Sequence, residues 1–364
     1  MAQSRLFRHY GSGRFVTAEG AVELNAMLEA NGTRDAVISA MANWTADAKT
    51  EANSTQSTSL DIQTHLEKVY LMGLRWRLTG DDTDLSAAKQ LLLKGSEAVQ
   101  PIGNPLDEKG LIEVAIGYWY VKDQFTQQER QQVASWLRSF YLKQKQWLLG
   151  ADIGNESRER HYSNISGYSL AIQATIAAAL DERELNLDVI SDVAVHMSGH
   201  FRADNAVYDF DKRDALTYVV FDLTGLIHIG HALSYMTGED FMTKDYRAYE
   251  SSVVTGANPT TVYKAIDNGP TATILGVGNF LLDYVEGRKP AHKEFANTGS
   301  DYDKTRDDYQ KEWEPGEWYK ALASIQYAWA KYDPATAGDR YNGTINYIVG
   351  DWRDTITSKY GAPG

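Results

Sequence analysis

The chain has 364 residues, 43% hydrophobic and 23% charged, enough to bury a large core in one domain or two. A net charge of −13 argues against general nucleic-acid binding, and the absence of cysteine excludes disulfides, a thiol nucleophile and cysteine-rich zinc sites. No uninterrupted apolar run is long enough to predict a membrane span. The opening MAQSRLFRHYGSGRF lacks the apolar centre of a signal peptide, although an exported protein whose leader has been removed would look the same.

Helical periodicity dominates from residue 59 onward. SLDIQTHLEKVYLMGLRWRLTG (59–80) carries apolar residues at three- and four-residue spacing and stops at Gly80. DLSAAKQLLLKGSEAV follows, with Asp84 as the expected cap. Next come EKGLIEVAIGYWYVKDQF and the wetter TQQERQQVASWLRSFYLKQKQWLL. SGYSLAIQATIAAALD precedes LNLDVISDVAVHMSGHF, and AVYDF (206–210) reads as a short hairpin arm. RDALTYVVFDLTGLIHIGHALSYMTG, YRAYESSVVTGA, GPTATILGVGNFLLDYVEG and GEWYKALASIQYAWAKY complete the series.

Apolar, Gly/Ala-rich helices alternate with amphipathic ones, and the apolar members recur at a spacing of roughly fifty residues, the length of a helical hairpin. This pattern predicts an all-α protein: an (α/α) toroid of about five to seven hairpins, with the apolar helices innermost. Residues 1–364 are expected to form one catalytic domain. An open α-solenoid is the competing architecture.

Two polar clusters stand where apolar helices begin. The first is RERHYSNISGYSL (158–170), and the second, one hairpin later, is DFDKRDALTYVVFDLTGL (209–226). Neighbouring inner helices of a toroid run parallel, so both starts would lie at one mouth. There His161 and Asn164 would face Tyr218, with Lys212 and Arg213 nearby.

An Asn/His pair at one helix start, followed about fifty-five residues later by an R-x-L-x-Y-like start to a second apolar helix, resembles the alginate-lyase-type polysaccharide lyases of the α/α-toroid fold. The likeness is densest over residues 158–235. It implies β-elimination on a polyuronate, with Asn164 and His161 as the Asn/His pair, Tyr218 as the tyrosine, and Arg213 or Lys212 as its basic partner. The chain departs from the family pattern in two respects. That pattern has Asn and His adjacent, whereas His161 here precedes Asn164 by three positions, and Asp211 stands where the family arginine lies two turns before the tyrosine. Arg213 precedes Tyr218 by five positions, which is off-face in a continuous helix and requires a bend.

The residue types suit the chemistry. Elimination removes the C5 proton of a uronate and expels the C4 oxygen, and donors on the carboxylate stabilise the developing enolate-like charge. A tyrosine must be lowered from a pKa of about 10, or paired, to act as base, and adjacent cations are expected to do this. In mannuronate or glucuronate the C5 proton and C4 oxygen share a face, so Tyr218 would serve both; in guluronate they are opposite, and His161 would be the base.

Arg160, Lys212, Asn104, Tyr162 and Trp119 are further expected substrate contacts, Trp119 through sugar stacking. HMSGH (196–200) and HIGH (228–231) hold helically spaced histidines, but without the glutamate of a metalloprotease motif. No metal or cofactor is expected, and neither a nucleic-acid nor a membrane partner; the expected partner is an anionic polysaccharide met in the periplasm or outside the cell. The alternatives are a toroidal glycoside hydrolase of the unsaturated uronyl type, built on paired carboxylates among Asp209, Asp211 and Asp214, and a non-catalytic glycan-binding helical protein.

Overall fold

A computed structural model describes residues 15–30, 32, 34–149, 162–202, 204–239, 241–242, 273–285 and 287–313. Its described residues contain twelve α-helices and no strand beyond two isolated bridges. In chain order these are α1 (Ala18–Ala30), α2 (Arg34–Asn53), α3 (Ser59–Leu66), α4 (Val69–Thr79), α5 (Asp82–Ala98), α6 (Leu111–Val121), α7 (Gln127–Leu148), α8 (Asn164–Leu180), α9 (Arg183–His200), α10 (Tyr208–Arg213), α11 (Leu216–Thr237) and α12 (Ile274–Val285). The expected helices at YRAYESSVVTGA and GEWYKALASIQYAWAKY lie outside the described residues.

The protein is all-α, with the packing order expected of toroid hairpins. The apolar helices α4, α6, α8, α11 and α12 each pack against the next, forming an inner series. Outside them, α2, α5, α7 and α9 supply a second layer, each beside an inner helix. Burial on nearly all sides explains why α6 and α8 show no polar face: every residue of α6 is buried, as are most of α8. The outer helices are joined instead by polar ties. Gln132 donates to Ser96 at 2.8 Å, Arg138 pairs with Glu182, and Lys145 bridges Asp188 and Asp192 at 2.7 and 2.5 Å.

The inner helices α4, α6, α8 and α11 are parallel. Gly117 of α6 meets Val69 and Tyr70 at the start of α4, and Gly73 meets Tyr120 one turn further along both helices. Lys122, just past the end of α6, donates to the Ala179 carbonyl near the end of α8 at 3.1 Å. Tyr168 and Phe221, each in the second turn of its helix, have ring centroids 4.4 Å apart. The first turns of α8 and α11 therefore lie side by side.

Several local expectations are revised. The single helix expected over 59–80 is two: an amphipathic α3 capped by a Thr58–Asp61 capping box packs on the outer α5, and the apolar α4 turns inward. Asp81, not Asp84, caps α5 through the Thr83 N–H at 2.9 Å; Asp84 is buried between Arg75 and Lys49. AVYDF contributes only the Phe201–Val207 bridge before the chain becomes α10. Among the described helices, α11 is long and apolar enough by composition to cross a bilayer, but its residues are mostly buried inside the protein, as a central core helix requires.

The α4–α6 contact depends on glycine. A Cβ on Gly117 would lie 2.7 Å from the Tyr70 backbone nitrogen and 2.8 Å from the Val69 carbonyl carbon, atoms that cannot swing away. Gly117→Ala should therefore destabilise the fold by about 1–3 kcal/mol, despite a gain in helix propensity of about 1 kcal/mol. Chemical denaturation measures this; a variant as stable as the parent would show that the helices separate freely there.

Candidate active site

The second polar cluster folds as a broken helix. α10 ends at Arg213, Asp214 adopts the left-handed conformation (φ 51°), Ala215 is extended, and α11 begins at Leu216. This is the bend that the five-residue spacing requires. It turns Arg213 back over Tyr218, so that the Arg213 Nη2 donates to the Tyr218 Oη at 2.9 Å and the guanidinium carbon stands 4.2 Å from the ring centroid.

The segment 292–303 holds this junction from outside. The carboxylate of Glu294 accepts from the Leu216 and Thr217 backbone N–H groups at 2.8 and 3.2 Å, satisfying two unpaired donors at the start of α11. The Asp214 carbonyl accepts from the Phe295 N–H at 2.7 Å, and its carboxylate accepts from both the backbone and side-chain nitrogens of Asn297 at 2.8 Å. Asp303, fully buried, grips Arg213 with both carboxylate oxygens and accepts from the Thr298 hydroxyl at 2.6 Å. Arg306 adds a second guanidinium 5.7 Å from the Tyr218 ring. None of these residues stood out in sequence; the only available signal was the density of charge in a segment without helical periodicity.

The cations do not depress the tyrosine overall. Burial raises the Tyr218 phenol above its ordinary value, and Arg213 and Arg306 offset this only in part. The expected lowering is thus reversed, because the ring sits half inside the protein.

At the neighbouring helix start, Ser163 occupies the N-cap position and Asn164 is the first residue of α8. Asn164 is buried, and its backbone N–H donates to the Asp209 Oδ2 at 2.7 Å. Its side-chain Nδ2 is buried without a hydrogen-bond partner among the described residues. Burial pushes the Asp209 carboxyl up to about 6, against the Asn164 bond and the charges of Arg213 and Arg202. Beside it, burial raises Asp222 well above the carboxylate range and lowers His200 well below the ordinary imidazole value.

The other expected residues are distributed unequally. His161 and Arg160 lie outside the described residues. Tyr162 is partly buried; its carbonyl accepts from the His200 Nδ1 at 2.7 Å, and its ring lies 6.4 Å from that of Tyr208. Lys212 is exposed on α10, with its ammonium 5.6 Å from the Tyr208 ring. Asn104 enters α6 at the same end of the inner layer, but its amide is engaged locally, donating to Asp107 at 2.7 Å and accepting from the Leu106 N–H at 3.0 Å. Trp119 is placed differently from expectation: it is buried, and its Nε1 donates to the Tyr235 hydroxyl at 2.8 Å near the C-terminal ends of α6 and α11. It packs the core at the end opposite Tyr218 and presents no face for a sugar. The three aspartates weighed as hydrolytic acids are all held: Asp209 by Asn164, Asp211 by Arg202 and Asp214 by Asn297.

Asp303→Asn should free Arg213 from its buried counter-charge and leave a half-buried cation unpaired. We expect a stability loss of about 1–3 kcal/mol, reduced from the cost of breaking a fully buried pair because Arg213 retains some solvent. Thermal denaturation checks it, and an unchanged midpoint would show that the pair contributes nothing to the junction.

Comparison with curated proteins gives no match. The family model described as alginate lyase matches residues 25–251, more than half of the chain and a span that includes both α8 and the α10–α11 junction. The chain belongs to the alginate lyase family, and it is a polysaccharide lyase whose substrate is an anionic polysaccharide.

Proposed function

We propose that the protein cleaves a polyuronate, alginate or glucuronan, by β-elimination at the mouth formed by the first turns of α8 and α11, within one catalytic domain. The observation that carries this reading is the Arg213–Tyr218 hydrogen bond across the helix break. It supplies the tyrosine–arginine pair that such chemistry uses, at the N-terminal end of an inner helix.

The bond also suggests how the pair works. Arg213 can only donate, so the Tyr218 oxygen is the acceptor and the phenol keeps its own proton for another partner. With burial holding the phenol protonated, Tyr218 is set to deliver that proton to the departing C4 oxygen. The base is then assigned to His161, immediately ahead of the described start of the mouth, an arrangement suited to opposite-face elimination from guluronate. Where the two groups share a face, Tyr218 would first have to lose its proton, and its surroundings resist this.

The Nε and Nη2 donors of Arg213 are taken by Asp303 and Tyr218 and its charge is balanced by Asp303, which leaves it less available to neutralise a substrate carboxylate as well. That role passes to the amide of Asn164, which has no partner among the described residues, and to Arg160. Lys212 contributes from the surface as a longer-range attraction, useful on a chain of net charge −13. Because polyuronates are extracellular polymers, the site of action is assigned to the periplasm or the cell exterior.

The test mixes the protein with mannuronan, guluronan, alginate and glucuronan and follows ultraviolet absorbance from the new C4–C5 double bond. Tyr218→Phe should reduce the rate by at least about 100-fold, the scale of losing a general acid. For the parent, kcat/KM should fall on the acid side as a His161 base takes up a proton, and fall again on an alkaline limb above about 10 as the Tyr218 acid is lost. A rate that climbs with pH through that range would make the phenolate the active form and give Tyr218 the base role. Reducing ends without absorbance would replace elimination with hydrolysis.

A further inference from the structure

Behind the first turn of α8, three side chains from three elements converge without solvent. His200 ends α9, Asp209 lies in α10 and Asp222 in α11, and one donor atom from each lies within 4.8 Å of the others. All three residues are buried, with His200 0% and Asp222 3% exposed. Among the described residues neither oxygen of Asp222 has a hydrogen-bond partner, and neither does the His200 Nε2, which stands 3.7 Å from Asp222 Oδ1. A buried, unpaired carboxylate is costly, so it is either held protonated or completed by something outside the polypeptide.

The orientation of the histidine narrows what that is. Its Nδ1 faces the Tyr162 carbonyl at 2.7 Å and must carry the hydrogen there, since a carbonyl only accepts. The Nε2 therefore turns a lone pair toward the two aspartates. An imidazole fixed through one nitrogen by a backbone carbonyl, with the other free, is the arrangement of a metal-ligating histidine. One imidazole nitrogen and two carboxylate oxygens form a donor set suited to zinc, and two negative charges balance a divalent cation in a dry setting.

We propose that His200, Asp209 and Asp222 bind a structural zinc ion. Bond lengths of about 2.0–2.2 Å place tetrahedral donors roughly 3.4 Å apart. The 3.7 Å His200–Asp222 separation is close to this, and small rotations of the carboxylates close the rest. Three protein donors leave the fourth position of the tetrahedron to a ligand from outside the polypeptide. The ion links α9, α10 and α11 and, through the Asp209–Asn164 bond, fixes the start of α8 relative to the Arg213–Tyr218 pair. Its role is to position these elements, and it takes no part in the elimination. It also gives a use to His200 that the i, i+4 pairing with His196 did not: the two rings stack, with centroids 4.7 Å apart, and the donor set runs from His200 to the aspartates.

The full chain is stripped with a chelator, dialysed against Zn²⁺, passed through a desalting column and assayed for metal by mass spectrometry. About one zinc per chain is expected. Co²⁺ in its place should give the intense visible absorption of a four-coordinate site, and Zn²⁺ but not Mg²⁺ should raise the melting temperature. His200→Gln and Asp222→Asn should each lower zinc retention at least tenfold, while Asp211→Asn, on the exposed side of α10, retains it. A stripped parent protein that is folded by circular dichroism yet takes up neither Zn²⁺ nor Co²⁺ overturns the proposal and leaves a proton shared between His200 and Asp222. Equal retention by a folded Asp222→Asn variant overturns the site. Metal content and spectrum are read without substrate, so failure of the lyase assay would not decide them.

Discussion

The candidate site depends on how helix beginnings are satisfied when they lie inside the protein. A helix start exposes several N–H groups without intrahelical partners, and a surface helix leaves them to water. The inner helices α8 and α11 begin where water is scarce, so carboxylates from elsewhere in the chain take its place. Asp209 accepts from the first N–H of α8, and Glu294 from the first two of α11. Each carboxylate also complements the positive end of its helix dipole. Because these acceptors come from distant points in the chain, satisfying the helix starts also fixes the elements around them. Glu294 brings in the segment that carries Asp303, and Asp303 sets Arg213 against Tyr218.

This order of dependence explains how the Arg213–Tyr218 pair proposed for catalysis can be pre-formed. Arg213 is a long side chain with much rotamer freedom to lose, and a single hydrogen bond to a phenol would not hold it. Two carboxylate contacts from a fully buried aspartate do, with a fork geometry that suits guanidinium. The left-handed turn at Asp214 is supported in the same way, its carbonyl and carboxylate both accepting hydrogen bonds from the 292–297 segment. Backbone conformation, ion pair and hydrogen bond thus support one another, and the tyrosine oxygen is positioned before any substrate arrives.

Much of the fold was legible in the sequence, for a simple reason. Buried helices such as α6 and α8 must be apolar on every side, and outer ones such as α7 must be amphipathic, so the alternation of layers is written along the chain. The bend between Arg213 and Tyr218 was legible too, because the family resemblance pairs the two residues and a five-residue spacing would put them on different faces of a continuous helix. What could not be read were contacts across large sequence separations. Nothing local marks Asp303 as the partner of Arg213 or Glu294 as the cap of α11, since each is one acid among 49 acidic residues. Trp119 misled for a related reason: its Tyr235 partner lies 116 positions away, and an aromatic in an apolar helix reads the same whether it lines a cleft or fills a core. The direction of the Tyr218 shift was lost because sequence shows the cations but not the burial that outweighs them.

The same geometry divides the labour between the two sides of the mouth. On the α11 side the charges are already paired, Arg213 with Asp303 and Arg306 with Asp308. A polyanion approaching there gains little Coulombic attraction unless it displaces a carboxylate, and a bidentate buried pair resists displacement. On the α8 side the amide of Asn164 has no acceptor among the described residues, and the sequence shortly before it holds two arginines and a histidine. On the proposed reading, a uronate carboxylate is drawn to the α8 side, and its C4 oxygen is left to the phenol on the α11 side. That separation suits elimination: charge is stabilised where the enolate-like carboxylate develops, and a proton is supplied where the leaving oxygen departs.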